Sequence, residues 1–319
     1  MARRNPEKRQ FHYQEYFSRY ESLIPDFEEF LEYLRTPMPQ YFRINTLKIT
    51  TEAEKERLLS ILREKGVEFE RVNEVEEFYR VLNNEEVSLG NLKEYSLGFI
   101  HSMTVSSSLP VIALEPKPGE VILDMCAAPG GKTGLIAMVT EDKVFLVSND
   151  KRIDRLTALV SNIKRLGITC AITTRYRGEQ FPFGITFDKV LVDAPCSGEG
   201  RYRIGLEGEI LYQKGPGRAN IPAIQKGLLV RAYDLVKPGG IIVYSTCTIN
   251  PKENEEVVDY LLRKRQAEIL DWESPFEFYP GLTEWEERPY HPSLVLTKRY
   301  YTHKIKAVGF YVAKIRRIA

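Results

Sequence analysis

Cysteine is scarce in this chain of 319 residues: Cys126, Cys170, Cys196 and Cys247 are the whole complement, and no two stand at Cys-x-x-Cys spacing. That argues against a disulfide framework or a zinc site, so no metal and reduced thiols are expected. Net charge is nearly absent too, with 45 Lys and Arg against 44 Asp and Glu. A polyanionic partner must then be met by local patches, because there is no global field to attract it. No stretch reaches the roughly 20 apolar residues of a membrane helix. Residues 1–10 are polar, with no apolar segment behind them, so no signal peptide is expected. These absences predict a cytoplasmic protein; a monomer is the expectation for its oligomeric state.

The length suits two domains. In residues 1–104, Phe11, Tyr13, Tyr16, Phe17 and Tyr20 recur at helical spacing, as do Phe27, Phe30, Leu31 and Leu34. Such a stripe reads as core before it reads as a base-stacking platform. Pro37 and Pro39 stop the helix. A strand at 41–47, a helix at 51–65 and strands at 67–72 and 78–82 predict a small α+β unit. From residue 105 strands and helices alternate, which predicts a mostly parallel sheet covered on both faces. Strands are expected at 121–125, 143–148, 168–174, 189–193 and 241–245, and helices at 132–139, 153–166, 221–236 and 253–265. A short strand at 268–271 and a terminal antiparallel strand at 307–315 complete the second half, 105–319.

The first predicted strand breaks into Cys126-Ala127-Ala128-Pro129-Gly130-Gly131-Lys132-Thr133. This is neither the GxGxxG nor the GxxxxGK[ST] pattern, and a tight strand-to-helix turn is its bland explanation. The second strand ends in Ser148-Asn149-Asp150. An acid about 20 residues beyond a glycine turn can accept ribose hydroxyls, so a nucleoside cofactor is expected. Asp193 follows Val190-Leu191-Val192 and should emerge at the sheet edge, with Pro195-Cys196 just beyond; Cys247 ends the next strand, after Ile241-Ile242-Val243. One cysteine beside apolar strands is usually a small buried hydrophobe. Two at strand ends, among small polar residues, fit that account less well and suggest a thiol nucleophile.

The runs Leu123–Thr133, Asp193-Ala194-Pro195-Cys196-Ser197-Gly198 and Ser245-Thr246-Cys247-Thr248 resemble the Sun-type RNA cytosine-5 methyltransferases. So do Asn149-Asp150-Lys151-Arg152 with Arg155 and Asn162, Pro251-Lys252-Glu253-Asn254-Glu255, Gly309–Lys314 and Arg43-Ile44-Asn45-Thr46. The matches run from about Tyr41 to Lys314, in the family's order. The resemblance implies a catalytic half at 105–319 with a Rossmann-like class I methyltransferase fold and a seven-stranded sheet, a helical and RRM-like RNA-binding region at 1–104, S-adenosylmethionine as cofactor and tRNA or rRNA as substrate. It implies that Cys126, Ala127, Ala128, Pro129, Gly130, Gly131, Lys132, Asp150, Arg155 and Asp193 contact the cofactor. Cys247 would be the nucleophile, and Cys196 would help release the product. Two departures stand out. The stretch Thr174-Arg175-Tyr176-Arg177-Gly178-Glu179 lacks the family's acid for adenine before Gly178, and Gly98-Phe99-Ile100-His101-Ser102 lacks a common glutamine.

Carbon 5 of cytosine is too weak a nucleophile to be methylated unaided, and a thiolate added at carbon 6 activates it. A thiol of pKa about 8.5 needs help to ionise, for which Lys132 is a candidate, and Asp193 can hydrogen-bond ring nitrogen 3. Three basic runs are candidates for phosphate contact: Arg3, Arg4, Lys8 and Arg9; Arg201 and Arg203; and the seven Lys and Arg of Lys298–Ala319, with Tyr300 and Tyr301 among them. Two other readings stay open. A DNA cytosine-5 methyltransferase would use Cys196 as nucleophile, and an RNA-binding protein could keep the fold without turnover.

Overall fold

The structure, a computed structural model, describes residues 12–83, 85–212 and 220–319. Helices α1 (Tyr13–Phe17) and α2 (Phe27–Leu34) precede a four-stranded antiparallel sheet. That sheet is built from β1 (Tyr41–Ile44), β2 (Phe69–Arg71), β3 (Phe78–Val81) and β4 (Ile100–Ser102), in the order β2-β3-β1-β4. Helix α3 (Glu52–Glu64) follows β1, and the short α4 (Lys93–Ser96) precedes β4. Thr51 and Glu54 close a capping box at the start of α3. The succession β-α-β-β-α-β in this order is the split β-α-β arrangement of RRM-like sheets. β4 and α4 went unseen in the sequence, being too short to show a period.

One face of this sheet holds Phe42, Ile44 and Tyr79 against Leu58 and Leu62 of α3. The other face is covered by the catalytic half: Tyr41 and Phe78 join a core with Leu135, Ile136 and Phe310. The Tyr41 hydroxyl donates to the Lys306 carbonyl at 2.7 Å. Arg43, fully buried, reaches the Gly131 carbonyl and the Met138 sulfur. The face through which RRM sheets stack bases is therefore spent on docking.

The catalytic half begins with α5 (Leu109–Leu114) and β5 (Val121–Asp124), then α6 (Gly131–Val139), β6 (Phe145–Asn149), α7 (Ile153–Leu166), β7 (Ala171–Thr174) and β8 (Phe187–Asp193). A hairpin of β9 (Arg203–Ile204) and β10 (Ile210–Leu211) precedes α8 (Ile221–Leu235), β11 (Val236–Thr246), α9 (Glu255–Lys264) and β12 (Ala267–Leu270). Next come β13 (Tyr279–Pro280), a second hairpin of β14 (Glu284–Trp285) and β15 (Arg288–Pro289), β16 (Lys298–Tyr300), α10 (Thr302–Ile305) and β17 (Phe310–Arg317). The main sheet runs β13-β16-β17-β11-β8-β5-β6-β7, with β12 also on β17, so it has nine strands. The seven expected are β5, β6, β7, β8, β11, β12 and β17, and the short β13 and β16 are additions. β7, β6, β5, β8 and β11 are parallel, while β17 is antiparallel to β11 as expected. Lys237-Pro238-Gly239-Gly240 forms an irregularity inside β11, where the register shifts between Val236 and Ile241.

One chain-order reversal matters for function. From β5 the chain winds outward through β6 and β7, then returns to pair β8 on the other side of β5. That switch point, at the carboxyl ends of β5 and β8, is where open α/β sheets bind ligands. The aromatic stripe is core, as expected, but of a particular kind. Phe17, Tyr20, Phe30 and Leu34 pack with Tyr202, Ile204, Ile210, Ile249 and Tyr301, all of the catalytic half.

Candidate active site

Strands β5, β6 and β8 deliver three carboxylates to one edge. Asp124 ends β5 and is fully buried; its Oδ2 accepts from the Thr133 hydroxyl at 2.8 Å, while Oδ1 has no partner. Burial above all, then Asp193 and Asp150, pushes its carboxyl up to about 7, against the Thr133 bond and Lys132. Asp124 lies within the Leu123–Thr133 run but was not picked out in the sequence. The signal was there: an acid directly after apolar Val121-Ile122-Leu123 must enter the sheet edge buried.

The turn after β5 is held from both sides. The Ala127 amide donates to the Asn149 carbonyl at 2.8 Å, and the Asn149 side chain donates to the Met125 carbonyl at 3.0 Å. Asn162 on α7 donates to the Pro129 carbonyl at 2.9 Å, and Arg155 to that of Ala128. Gly130 has φ 107°, and a Cβ there would meet Leu159 Cδ1 at 2.9 Å, so only glycine fits. α6 then opens at Gly131, with the unpaired amides of its first turn at the switch point. Burial, followed by Asp150, Asp124 and Asp193, drives the Cys126 thiol well above its ordinary range, so it stays neutral.

Asp150, also buried, accepts from the Arg152 amide at 2.9 Å and pairs with Arg155 Nη1 at 3.2 Å. Arg155 thus links the expected ribose acceptor to the turn. Asp193 accepts from Lys132 Nζ at 2.8 Å and from the Ser245 hydroxyl at 2.9 Å. A set of acids around an amide-lined turn, one of them with an unpartnered buried oxygen, suits a cationic nucleoside ligand and fits S-adenosylmethionine.

The two strand-end thiols meet. Cys196 Sγ lies 3.2 Å from Cys247 Sγ, and the two are not disulfide-bonded. Their loops are laced together by Ser197 Oγ and Thr248 Oγ1 at 2.7 Å. Residues 251–255, whose role the sequence left open, are the frame. Glu253 Oε2 accepts from the Ser197 amide at 2.9 Å and Gln225 at 3.0 Å. Asn254 accepts from Thr246 at 2.6 Å and donates to the Thr248 carbonyl at 3.0 Å. Glu255 is buried in a two-pronged pair with Arg299, at 2.6 and 2.5 Å.

The expected basic surface needs correction. Of the C-terminal run, Arg299 is consumed by Glu255, Lys298 by Asp271, Lys304 by Asp26 and Glu29, Lys314 by Glu115 and Arg316 by Glu268. Lys306 lies 3.9 Å from Glu29, and Arg317 donates to the Tyr233 and Val236 carbonyls. Tyr300 and Tyr301 are buried. Arg203 is buried with its guanidinium over Tyr33, leaving Arg201 exposed. Arg3, Arg4, Lys8, Arg9 and Phe11 lie outside the described residues. Asp26, Glu29 and His303 converge closely enough to hold a metal, yet Lys304 already satisfies both carboxylates. No helix among the described residues is long and apolar enough to cross a membrane.

Residues 111–316 match the family described as 16S rRNA methyltransferase RsmB/F. The chain belongs to that methyltransferase family. A tRNA (cytosine(49)-C(5))-methyltransferase of Pyrococcus abyssi is 39% identical over 93% of this chain and 94% of its own length. A mouse 28S rRNA (cytosine-C(5))-methyltransferase is 38% identical over 91% of this chain, which spans 37% of that longer protein. The crystal structure of a methyltransferase homolog from Pyrococcus horikoshii superposes with a TM-score of 0.80 at 31% identity, covering 95% of each chain. Family membership makes this a Rossmann-like methyltransferase of the Sun-type group, whose relatives act on carbon 5 of cytosine in RNA.

Proposed function

We propose that this protein methylates carbon 5 of a cytosine in tRNA or rRNA, through a transient thioether between Cys247 and carbon 6. The contact between two strand-end thiols, beside the Lys132–Asp193 pair, is the observation that carries this reading. In it, the Cys126–Lys132 turn, Asp150, Arg155 and Asp193 hold S-adenosylmethionine, which supplies an electrophilic methyl group. Residues 1–104 contribute RNA contacts from surfaces other than the docked sheet face.

The chain's own groups do the rest. Cys247 adds as thiolate to carbon 6, and the displaced electron pair runs toward ring nitrogen 3. Asp193 meets that nitrogen, and the Lys132 ammonium at 2.8 Å can pass it a proton through the carboxylate. Once carbon 5 is substituted, its remaining proton must leave. Cys196 as thiolate, 3.2 Å from the nucleophile, takes it and becomes a thiol, the carbon 5–carbon 6 double bond re-forms, Cys247 departs as thiolate, and ring nitrogen 3 returns its proton through Asp193 to Lys132.

The test separates the cysteines. Cys196→Ala should form the protein–RNA bond but not resolve it, so a cofactor-dependent adduct accumulates on denaturing electrophoresis. Cys247→Ala and the double variant should give none. An adduct in Cys247→Ala that vanishes in Cys196→Ala would reverse the roles and favour a DNA-type enzyme; methyl-transfer assays on RNA and DNA would then decide the substrate.

A further inference from the structure

The loop carrying Cys196 runs on into a tight turn, Glu199–Arg201. The Glu199 side chain is 1% exposed, yet its partners come from the far end of the chain. Oε1 accepts from the Tyr16 hydroxyl at 2.7 Å and from Arg19 Nη2 at 3.1 Å, and Oε2 accepts from the Tyr20 hydroxyl at 2.8 Å. The Arg19 guanidinium lies 4.6 Å from the centre of each of those two rings, so cation and phenols form one unit. The next residue faces the other way. The Gly200 amide donates to the Cys247 carbonyl at 3.0 Å, and its own carbonyl accepts from Gly309 at 3.0 Å. A Cβ on Gly200 would come within 2.3 Å of the Gly309 oxygen, so the turn is pressed against the residue just before β17.

Glu199-Gly200 therefore joins three things: the N-terminal segment, the Cys196 loop and the backbone of Cys247. We propose that Glu199, gripped by Tyr16, Arg19 and Tyr20, is a positioning residue for the thiol pair, so that residues 16–20 set the geometry of the reaction without touching substrate. The inference rests on the functional reading above. A carboxylate this deeply buried persists only with its donors in place. Without them Glu199 must seek water, and the turn that moves with it holds Cys247 through Gly200. The cofactor turn hangs instead from β5, β6 and α7, and should not feel the change.

The test uses the full chain with Tyr16→Phe/Tyr20→Phe, which keeps both rings and removes both hydroxyls, alongside Glu199→Gln. Two readouts are independent of one another. One is kcat for RNA methylation against cofactor affinity by calorimetry. The other is the rate at which a soluble aromatic disulfide converts the two thiols to a Cys196–Cys247 disulfide, followed by peptide mapping; each thiolate displaces one aromatic thiolate in turn. Each variant should lose at least tenfold in kcat, change cofactor affinity less than twofold and close the disulfide at least fivefold more slowly. Combining the three substitutions should add little further loss, because one unit has been broken. Wild-type kcat and closure rates would overturn the inference, as would cofactor affinity falling in step with kcat, the mark of general loosening. Should the wild type methylate no cytosine RNA while closure still slows in the variants, the functional reading falls and the positioning role stands.

Discussion

Asp124 offers a test that needs neither RNA nor cofactor. Its carboxyl is pushed from an ordinary 3.8 up to about 7, first by burial and then by Asp193 and Asp150. Between those values the folded protein keeps a proton that the unfolded chain releases. Stability is therefore greatest below about pH 4 in this respect, and falls as pH rises toward 7. At about 1.4 kcal/mol per pH unit, some three units amount to about 4 kcal/mol. Asp124→Asn is neutral throughout and can still accept the Thr133 bond; any penalty from its extra N–H groups is the same at every pH. With an unfolding entropy of about 2.1 cal/mol/K per residue, 319 residues convert that difference into roughly 6 °C. Most of that loss, about 3 kcal/mol, falls between pH 4.5 and pH 8, so melting curves in the cofactor-free state should show the variant gaining about 5 °C on the wild type across that range. A gap that stays constant across this range would mean Asp124 is ionised in the folded protein, and would refute the argument from burial.

Three further outcomes follow from contacts already described. Asp150→Ala should weaken S-adenosylmethionine binding by roughly 1.5–3 kcal/mol, the worth of a charge-assisted hydrogen bond, as read by calorimetry; unchanged affinity would place the ribose elsewhere. Arg299→Met should lower stability by about 3–5 kcal/mol, because it strands Glu255 in the core, and thermal melts should show it while Glu268→Gln on the surface changes little. Because the C-terminal cations are neutralised within the fold, charge reversal at Arg316 should leave RNA affinity and its salt dependence nearly unchanged in filter binding.

The parallel strands were legible because each is a short apolar run closed by a turn signal, and the candidate site lies where those runs end. Cys247 and Asp193 could be placed at the sheet edge from Val243 and Val192 alone. What the chain concealed was pairing over distance. Nothing near Tyr16 or Tyr20 announces Glu199, some 180 residues away. The basic run after Lys298 looked like an RNA surface because its acids, Asp26, Glu29, Glu115, Glu255, Glu268 and Asp271, are scattered along the chain. Local charge counting cannot see such neutralisation. The frame built by Glu253 and Asn254 was hidden for a similar reason: its partners, Gln225, Ser197 and Thr246, acquire meaning only once α8, β8 and β11 are side by side.

These pairings also constrain how RNA can approach. The RRM-like sheet has turned its stacking face inward, where Tyr41, Arg43 and Phe78 meet the catalytic half. Helix α3 covers the other face. That unit thus leaves its edges and loops, not its sheet faces, open to a base. On the catalytic half, Arg175 after β7 and Arg201 after the Cys196 loop are exposed. Both sit at the carboxyl edge of the parallel strands, on the side where Cys247 and Asp193 emerge. A phosphate backbone drawn to those cations would bring a base to the thiols, and a base held in a duplex could reach them only by leaving its stack.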